Sequence, residues 1–191
     1  FAAKVINRNI DKAEYHKRTN NEISILEKIN HPTIIKFIGY SKKDFDGNDN
    51  ITLILELQEQ SLLKVLKDCR LSLAEARFTN TERQIILVGI ARGMKYLHAH
   101  NIIHRDLKPG NILLNKDYYP FITDFGMSKI CEFCHSQSQS LHAGTMQYDA
   151  PEIIKAEKYN KKVDVYAFGI LMFEVVTQRV PYSNINNQYE L

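Results

Sequence analysis

Apolar positions change their spacing twice along this chain. Residues 1–6 form a short, apolar, β-prone run broken only by Lys4. Over residues 11–29 charges are spread throughout, with Ile25, Leu26 and Ile29 at helical spacing. That pattern predicts a helix ending at His31-Pro32, because the residue before a proline is driven out of the α region. Residues 34–40 and 51–57 read as strands, and the polar stretch 44–50 between them carries the turn residues of a hairpin. Beyond them the period becomes helical. Residues 61–68 predict a short amphipathic helix, and Thr79-Asn80-Thr81-Glu82 is a capping box opening a longer one that runs to about Ala99. Two short strands, 112–114 and 121–123, flank a turn at 115–120, and the serine-rich stretch 128–145 shows no period. Residues 162–176 are apolar nearly all round, the pattern of a buried helix. No internal repeat or low-complexity linker interrupts the chain, and the shift from strand-rich to helix-rich near residue 58 marks a boundary between two lobes.

Composition narrows the class without choosing a function. The 191 residues are 44% hydrophobic, 10% aromatic and 25% charged, which excludes wholesale disorder and collagen-like or disulfide-scaffold architectures. Lys plus Arg (25) against Asp plus Glu (22) leaves a scattered +3, too weak to imply a nucleic-acid or anionic-membrane partner. Three cysteines, Cys69, Cys131 and Cys134, suit a reducing compartment and hence a cytoplasmic protein. The longest apolar stretch, 85–91, is far too short to span a bilayer. The chain opens on Phe1 without an initiator Met, which leads us to expect a fragment.

Candidate chemistry concentrates in a few places. His104-Arg105-Asp106-Leu107-Lys108-Pro109-Gly110-Asn111 lies between a predicted helix and a short strand; Asp124-Phe125-Gly126 follows, with Asp124 eighteen residues after Asp106, and then Ala150-Pro151-Glu152. Lys4 interrupts an apolar strand, which makes sense if it points at an anion, and Glu22 shares a helix face with Ile25 and Leu26, where a carboxylate needs a partner. Asp164, near the start of the apolar helix, must likewise be paired.

In these motifs, their order and their element types, the whole chain resembles the eukaryotic protein kinases. The resemblance implies an α+β, two-lobed fold: a small antiparallel β-sheet N-lobe with one helix (residues 1–57) and a mainly α-helical C-lobe (58–191), together one domain truncated at both ends. It implies a protein kinase that transfers the γ-phosphoryl group of ATP to Ser/Thr hydroxyls of protein substrates. Asp106 would be the catalytic base, Lys108 would sit beside the transferred group, and Asn111 and Asp124 would hold Mg²⁺. Lys4 would hold the α- and β-phosphates, with Glu22 as its ion-pair partner. Leu55 would guard the back of the nucleotide pocket, Glu56, Leu57 and Gln58 would form the hinge, and Ala2 and Leu113 would enclose the adenine from above and below. Asp164 would hold the backbone of the catalytic loop.

Lys108-Pro109 and Gly144-Thr145 resemble the serine/threonine enzymes, with Thr145 bonding to Asp106 and Lys108, whereas residues 164–171 and Val180-Pro181-Tyr182 resemble the tyrosine-kinase-like group. Departures from the family pattern are the Gly-rich loop expected upstream of Phe1, the helices and the arginine partner of Glu152 expected after the last apolar helix, the acidic Asp149 at a usually apolar position, and the lack of any Trp. The resemblance to a truncated domain carries the expectation that this chain alone is weak or inactive. Arg105 beside Asp106 has no evident structural need in the sequence, and Ser136, Ser138 and Ser140 are candidates for phosphorylation by an upstream kinase or in trans by a second copy. Two rival readings stand beside the kinase: a catalytically silent, pseudokinase-like scaffold, and a metal- or haem-binding protein built on Cys131-Glu132-Phe133-Cys134-His135 with His142.

Overall fold

The computed structural model describes residues 1–6, 12–71, 78–130 and 146–183. Its first sheet has the order β1 (Ala2–Val5), β3 (Thr52–Leu55), β2 (Phe37–Ser41), all antiparallel, with Lys4 opposite Leu53 and a register shift between Phe37 and Gly39. Helix α1 (Lys12–Leu26) follows β1 in the chain. The strand expected over 34–40 starts later than its apolar pattern: Ile34 makes only an isolated parallel bridge to Ile122. The Ile35 N–H donates to Ile122 O and the Ile122 N–H to Thr33 O, both at 2.9 Å, which ties this segment to the second sheet.

That second sheet runs β4 (Gln60–Ser61), β6 (Ile112–Leu114), β7 (Pro120–Ile122), and a third pairs β5 (Ile102–Ile103) with β8 (Lys129–Ile130). The two-residue strands carry no period that sequence pattern can detect. Helix α2 (Leu62–Arg70) is capped by Ser61, whose hydroxyl accepts from the Lys64 N–H at 3.2 Å. Helix α3 (Asn80–Ala99) opens on the predicted capping box, Thr79 Oγ1 accepting from Glu82 N while Glu82 reaches back to Thr79 N. Ile86, Ile90, Met94 and Leu97 of α3 form one buried stripe; they join Ile25 and Leu26 of α1, Leu53 and Leu55 of β3, Ile112, Ile122, Phe125 and Leu171 in a single apolar cluster.

Gly89 and Gly93 on α3 let β7 approach. A Cβ at 89 would collide with Cγ and Cδ of Pro120, and one at 93 would lie 2.7 Å from Ile122 Cδ1. Gly89→Ala is therefore expected to lower stability by about 1–3 kcal/mol despite alanine's better helix propensity, read as a fall in thermal midpoint.

The short helix α4 (Pro151–Ile154) precedes α5 (Lys162–Thr177). The apolar circumference of α5 is not buried all round, as its sequence led us to expect. Val163, Ala167, Leu171 and Val175 face inward, while Val165 is 60% exposed and Phe173 46%. Two of its most buried residues are acidic, Asp164 at 1% and Glu174 at 2%. Among the described residues no helix is long and apolar enough to cross a membrane.

Candidate active site

The loop bearing Asp106 is fixed from beneath by α5. Strand β5 delivers the chain to His104, and there the Asp164 carboxylate accepts two successive amides, the His104 N–H at Oδ2 and the Arg105 N–H at Oδ1, each at 2.9 Å. His98 Nε2, from the last turn of α3, lies 2.8 Å from Asp164 Oδ2. This clamp holds Arg105 at φ 68°, a left-handed conformation that costs a non-glycine residue roughly 1–2 kcal/mol. His104 is fully buried. Its Nδ1 accepts from the Asp106 N–H at 3.3 Å, so the other ring nitrogen carries the proton and donates to Thr123 O at 3.1 Å. The guanidinium of Arg105 lies 5.5 Å from the ring centroid of Tyr159, a cation–π contact that gives it the structural place the sequence did not reveal.

Asp106 itself is held in one orientation. Lys108 Nζ bonds both of its oxygens at 2.8 Å, and Asn111 Nδ2 donates to its carbonyl and to Oδ2, both at 2.7 Å. With its amide nitrogen used twice, Asn111 keeps its side-chain oxygen as the atom suited to a cation. The Thr123 N–H donates to Asn111 O at 3.0 Å, which couples this loop to Asp124 one residue further on.

The second cluster joins three elements. Lys4 Nζ, on β1, lies 2.9 Å from Glu22 Oε1 on α1 and 2.9 Å from Asp124 Oδ1, itself in a left-handed conformation at φ 67°. Gly126 borders the cluster, where a Cβ would stand 3.4 Å from Glu22 Oε2, an ordinary contact. Burial opposes the ammonium of Lys4, but the two carboxylates outweigh it and raise its pKa. Burial pushes the Glu22 carboxyl up, with Lys4 only partly offsetting it. Asp124 feels burial too, yet Lys4 and the Gly126 N–H hold its carboxyl below the usual aspartate value. Glu22 is therefore expected to titrate above an ordinary glutamate and Asp124 below an ordinary aspartate. Carboxyl-carbon NMR titration checks the order, and acidification should loosen Lys4–Glu22 before Lys4–Asp124. The signs follow: the Lys4 contribution to stability is complete below the ordinary lysine value and fades as pH rises through its raised one. The Asp124 contribution is complete above the ordinary aspartate value and fades as pH falls through its lowered one.

One ammonium against two carboxylates leaves this cluster net negative, as a cation site requires. Among the described residues there is no group of three or more His, Cys, Asp or Glu side chains able to hold a metal. Mg²⁺ demands less, since one or two protein oxygens with waters and substrate phosphates complete its shell, so Asp124 and Asn111 fit it.

The expected nucleotide-lining residues lie on two sheets and on the link between them at residues 56–58. Ala2 stands opposite Leu55 in the β1–β3 register, and Leu55 is buried. The Glu56 N–H donates to Lys36 O at 3.0 Å; Glu56 and Leu57 are exposed and Gln58 is half-buried. Leu113, half-buried, lies on β6 between Ser61 and Phe121. The groove of about 800 Å³ lined by Ile29, His31, Phe37 and Tyr40 shares only Glu56 with this set. Ser136, Ser138, Ser140, Thr145, Cys131, Cys134, His135 and His142 lie outside the described residues.

Sequence reading missed two supports of the site, His98 and Ser128, and one buried pairing elsewhere on α5, that of Glu174 with Arg70 and Tyr148. His98 gave no signal, being one histidine on an amphipathic helix. Ser128, whose hydroxyl donates to His104 O at 3.2 Å and whose carbonyl accepts from Asn21 Nδ2 at 2.7 Å, acts through local geometry alone. Glu174 could have been found by the reasoning that singled out Asp164: a carboxylate on an apolar helix must be paired.

A lysine bridging a helix glutamate and the aspartate of Asp-Phe-Gly, beside a loop whose aspartate is fixed by a lysine and an asparagine, defines a kinase-type domain. The chain belongs to the protein kinase domain family, whose model matches residues 1–191. It is 32% identical over 182 residues to the serine/threonine/tyrosine-protein kinase HT1 of Arabidopsis thaliana, covering 91% of this chain and 42% of that one. It is 33% identical over 188 residues to the serine/threonine-protein kinase CTR1 of the same plant (97% and 22%) and 33% over 183 residues to the serine/threonine-protein kinase polo of Drosophila melanogaster (95% and 30%). The chain thus spans less than half the length of each of these relatives.

Proposed function

We propose that the protein transfers the γ-phosphoryl group of ATP to Ser/Thr hydroxyls of protein substrates. Asp106 is the catalytic base or hydroxyl-orienting group, and its rigid hold by Lys108 and Asn111 is the observation that carries this reading. Lys108 stands by for the charge on the transferred group, and Lys4, set by Glu22, holds the α- and β-phosphates. Asp124 and Asn111 hold Mg²⁺, which when bound neutralises phosphate oxygens. Ala2, Leu55, Glu56, Leu57, Gln58 and Leu113 enclose the adenine between an N-lobe of residues 1–57 and a C-lobe of 58–191. The names of relatives such as the serine/threonine-protein kinases CTR1 and polo support serine/threonine specificity, residues 164–171 with Val180-Pro181-Tyr182 support the tyrosine-kinase-like type, and the cysteine content supports a cytoplasmic site of action. The test is full-length protein with Mg·ATP and mixed protein substrates, followed by phosphoamino-acid analysis. Label on Ser and Thr that vanishes in Asp106→Asn is expected; no label, or label surviving in that variant, rejects the reading.

The same reading includes a switch. Phosphate on Ser140, or next on Ser138 or Ser136, carries about −1.5 to −2 charges and pairs with Arg105, ordering the segment ahead of Ala150-Pro151-Glu152. The source is an upstream kinase or a second copy of the chain. Mass spectrometry of active enzyme should find phosphate there, and the triple Ser→Ala variant should lose activity; full activity in that variant sinks the switch.

A further inference from the structure

Helix α1 has little in its sequence to dock its first half. Between residues 12 and 22 the apolar side chains are only Ala13 and Tyr15; Ile23, Ile25 and Leu26 come after Glu22. Yet Tyr15, Thr19, Glu22 and Leu26, at spacings of four, three and four, are all buried, so one face of the helix lies against the protein from its first turn. Tyr15 is 1% exposed, and its hydroxyl accepts from the Ile51 N–H at 2.9 Å. The ring supplies apolar area that these turns otherwise lack, and the hydroxyl has the partner that burial requires.

Ile51 is a fixed point. It leads into β3, the middle strand of the first sheet, and its carbonyl accepts from the Ile6 N–H at 2.9 Å. On its other side the polar hairpin closes on Asp44, which accepts from Asn50 Nδ2 at 2.7 Å. Two residues on, Leu53 stands opposite Lys4 in the ladder. Helix α1 is thus tied to one sheet at two places, through Tyr15 to the entry of β3 and through Glu22 to Lys4 on β1. The ties are seven residues apart, about 10 Å along one helix face. Past Glu22 the helix is held by other means: Ile23, Ile25 and Leu26 join the main apolar cluster. Glu22 therefore stands at the junction of two halves, and a first half released from Ile51 would swing it off Lys4.

We propose that Tyr15 is a positioning residue: its hydroxyl, on the Ile51 N–H, sets the first half of α1 on the sheet and so keeps Glu22 on Lys4. The consequence, a firmer hold on the ATP phosphates by Lys4, rests on the kinase reading; the positioning itself does not. Tyr15→Phe keeps the ring and deletes only the bond. Tyr40→Phe, which removes an exposed hydroxyl from β2 of the same sheet, is the matched control.

In full-length protein, Tyr15→Phe strands a backbone N–H, and exchange of the Ile51 amide is expected to quicken about fivefold or more, with residues 12–22 following and 80–99 unchanged. Burial holds the Glu22 carboxyl above an ordinary glutamate. Carried toward water with the helix, it should titrate closer to the ordinary value by carboxyl-carbon NMR, a change that a purely structural role for Tyr15 would not produce. KM for ATP should rise about twofold or more, with KM for the protein substrate unchanged. Tyr40→Phe should move none of these. Unchanged exchange at Ile51 and 12–22 overturns the anchor. Faster exchange there with unaltered Glu22 titration confines Tyr15 to the stability of the fold and overturns the positioning. An unaltered KM for ATP with Glu22 displaced overturns the consequence for the nucleotide. The exchange and titration arms decide even if the wild-type protein transfers no phosphate, a result that would count against the kinase reading instead.

Discussion

Asp106→Asn is expected to cut phosphoryl transfer by about 10²–10⁴-fold while ATP still binds, a loss of about 3–5 kcal/mol of transition-state stabilisation. The substitution keeps the volume of the side chain and removes its charge. It also turns one of the two oxygens facing Lys108 Nζ into an NH₂ group, so that a donor meets a donor where 2.8 Å bonds now hold the carboxylate. On the proposed reading, both the proton acceptor and its orientation are lost together. Asp124→Asn should behave differently. It removes a partner of Lys4 and an oxygen suited to Mg²⁺, and so weakens Mg·ATP affinity as well as turnover. Single-turnover kinetics with nucleotide titration separates the two variants. Undiminished turnover by Asp106→Asn would remove Asp106 from its role.

How much of this was legible in the sequence depended on the range of the interaction. The capping box at Thr79 and the end of α3 are local; the sequence predicts the first to the residue and the second at about Ala99, where the helix ends. The hairpin around residues 44–50 was equally plain, since Asp44 alone accepts from Asp46 N, Asn48 N and Asn50 Nδ2 there. Strands β4, β5 and β8, two residues each, exist only because a partner far along the chain completes them, as when Ile102 meets Ile130. The meeting of Lys4, Glu22 and Asp124 joins positions up to 120 apart; the spacing of charged residues in apolar surroundings suggested partners, and only the family resemblance suggested which. Helix α5 misled because hydrophobicity was read as burial. Its exposed apolar face and its two buried acids show that the helix is organised by what its carboxylates hold as much as by its apolar stripe.

That organisation makes Asp164→Ala the most damaging single change outside the reacting groups. Removing the carboxylate strands the N–H groups of His104 and Arg105 in a site where the acceptor was 1% exposed, and each unsatisfied donor costs about 1–3 kcal/mol. His98 loses its partner at the same time. Set against a typical stability of about 5–15 kcal/mol, a loss of roughly 2–6 kcal/mol should lower the thermal midpoint by many degrees. The functional loss should be larger than the stability loss implies. Arg105 is held in its left-handed conformation by this clamp, and the chain on either side carries His104, which accepts from the Asp106 N–H, and Asp106 itself. Relaxation of φ at Arg105 would swing the Asp106 carboxylate out of line even in molecules that remain folded. Transfer by Asp164→Ala, measured well below its midpoint, is therefore expected to fall by at least 10²-fold, the scale of a misplacement of about 1 Å. Asp164→Asn keeps one acceptor for the two amides and should lie between the variant and the wild type in both measurements. Wild-type transfer by a folded Asp164→Ala protein would show that the loop holds its shape without α5.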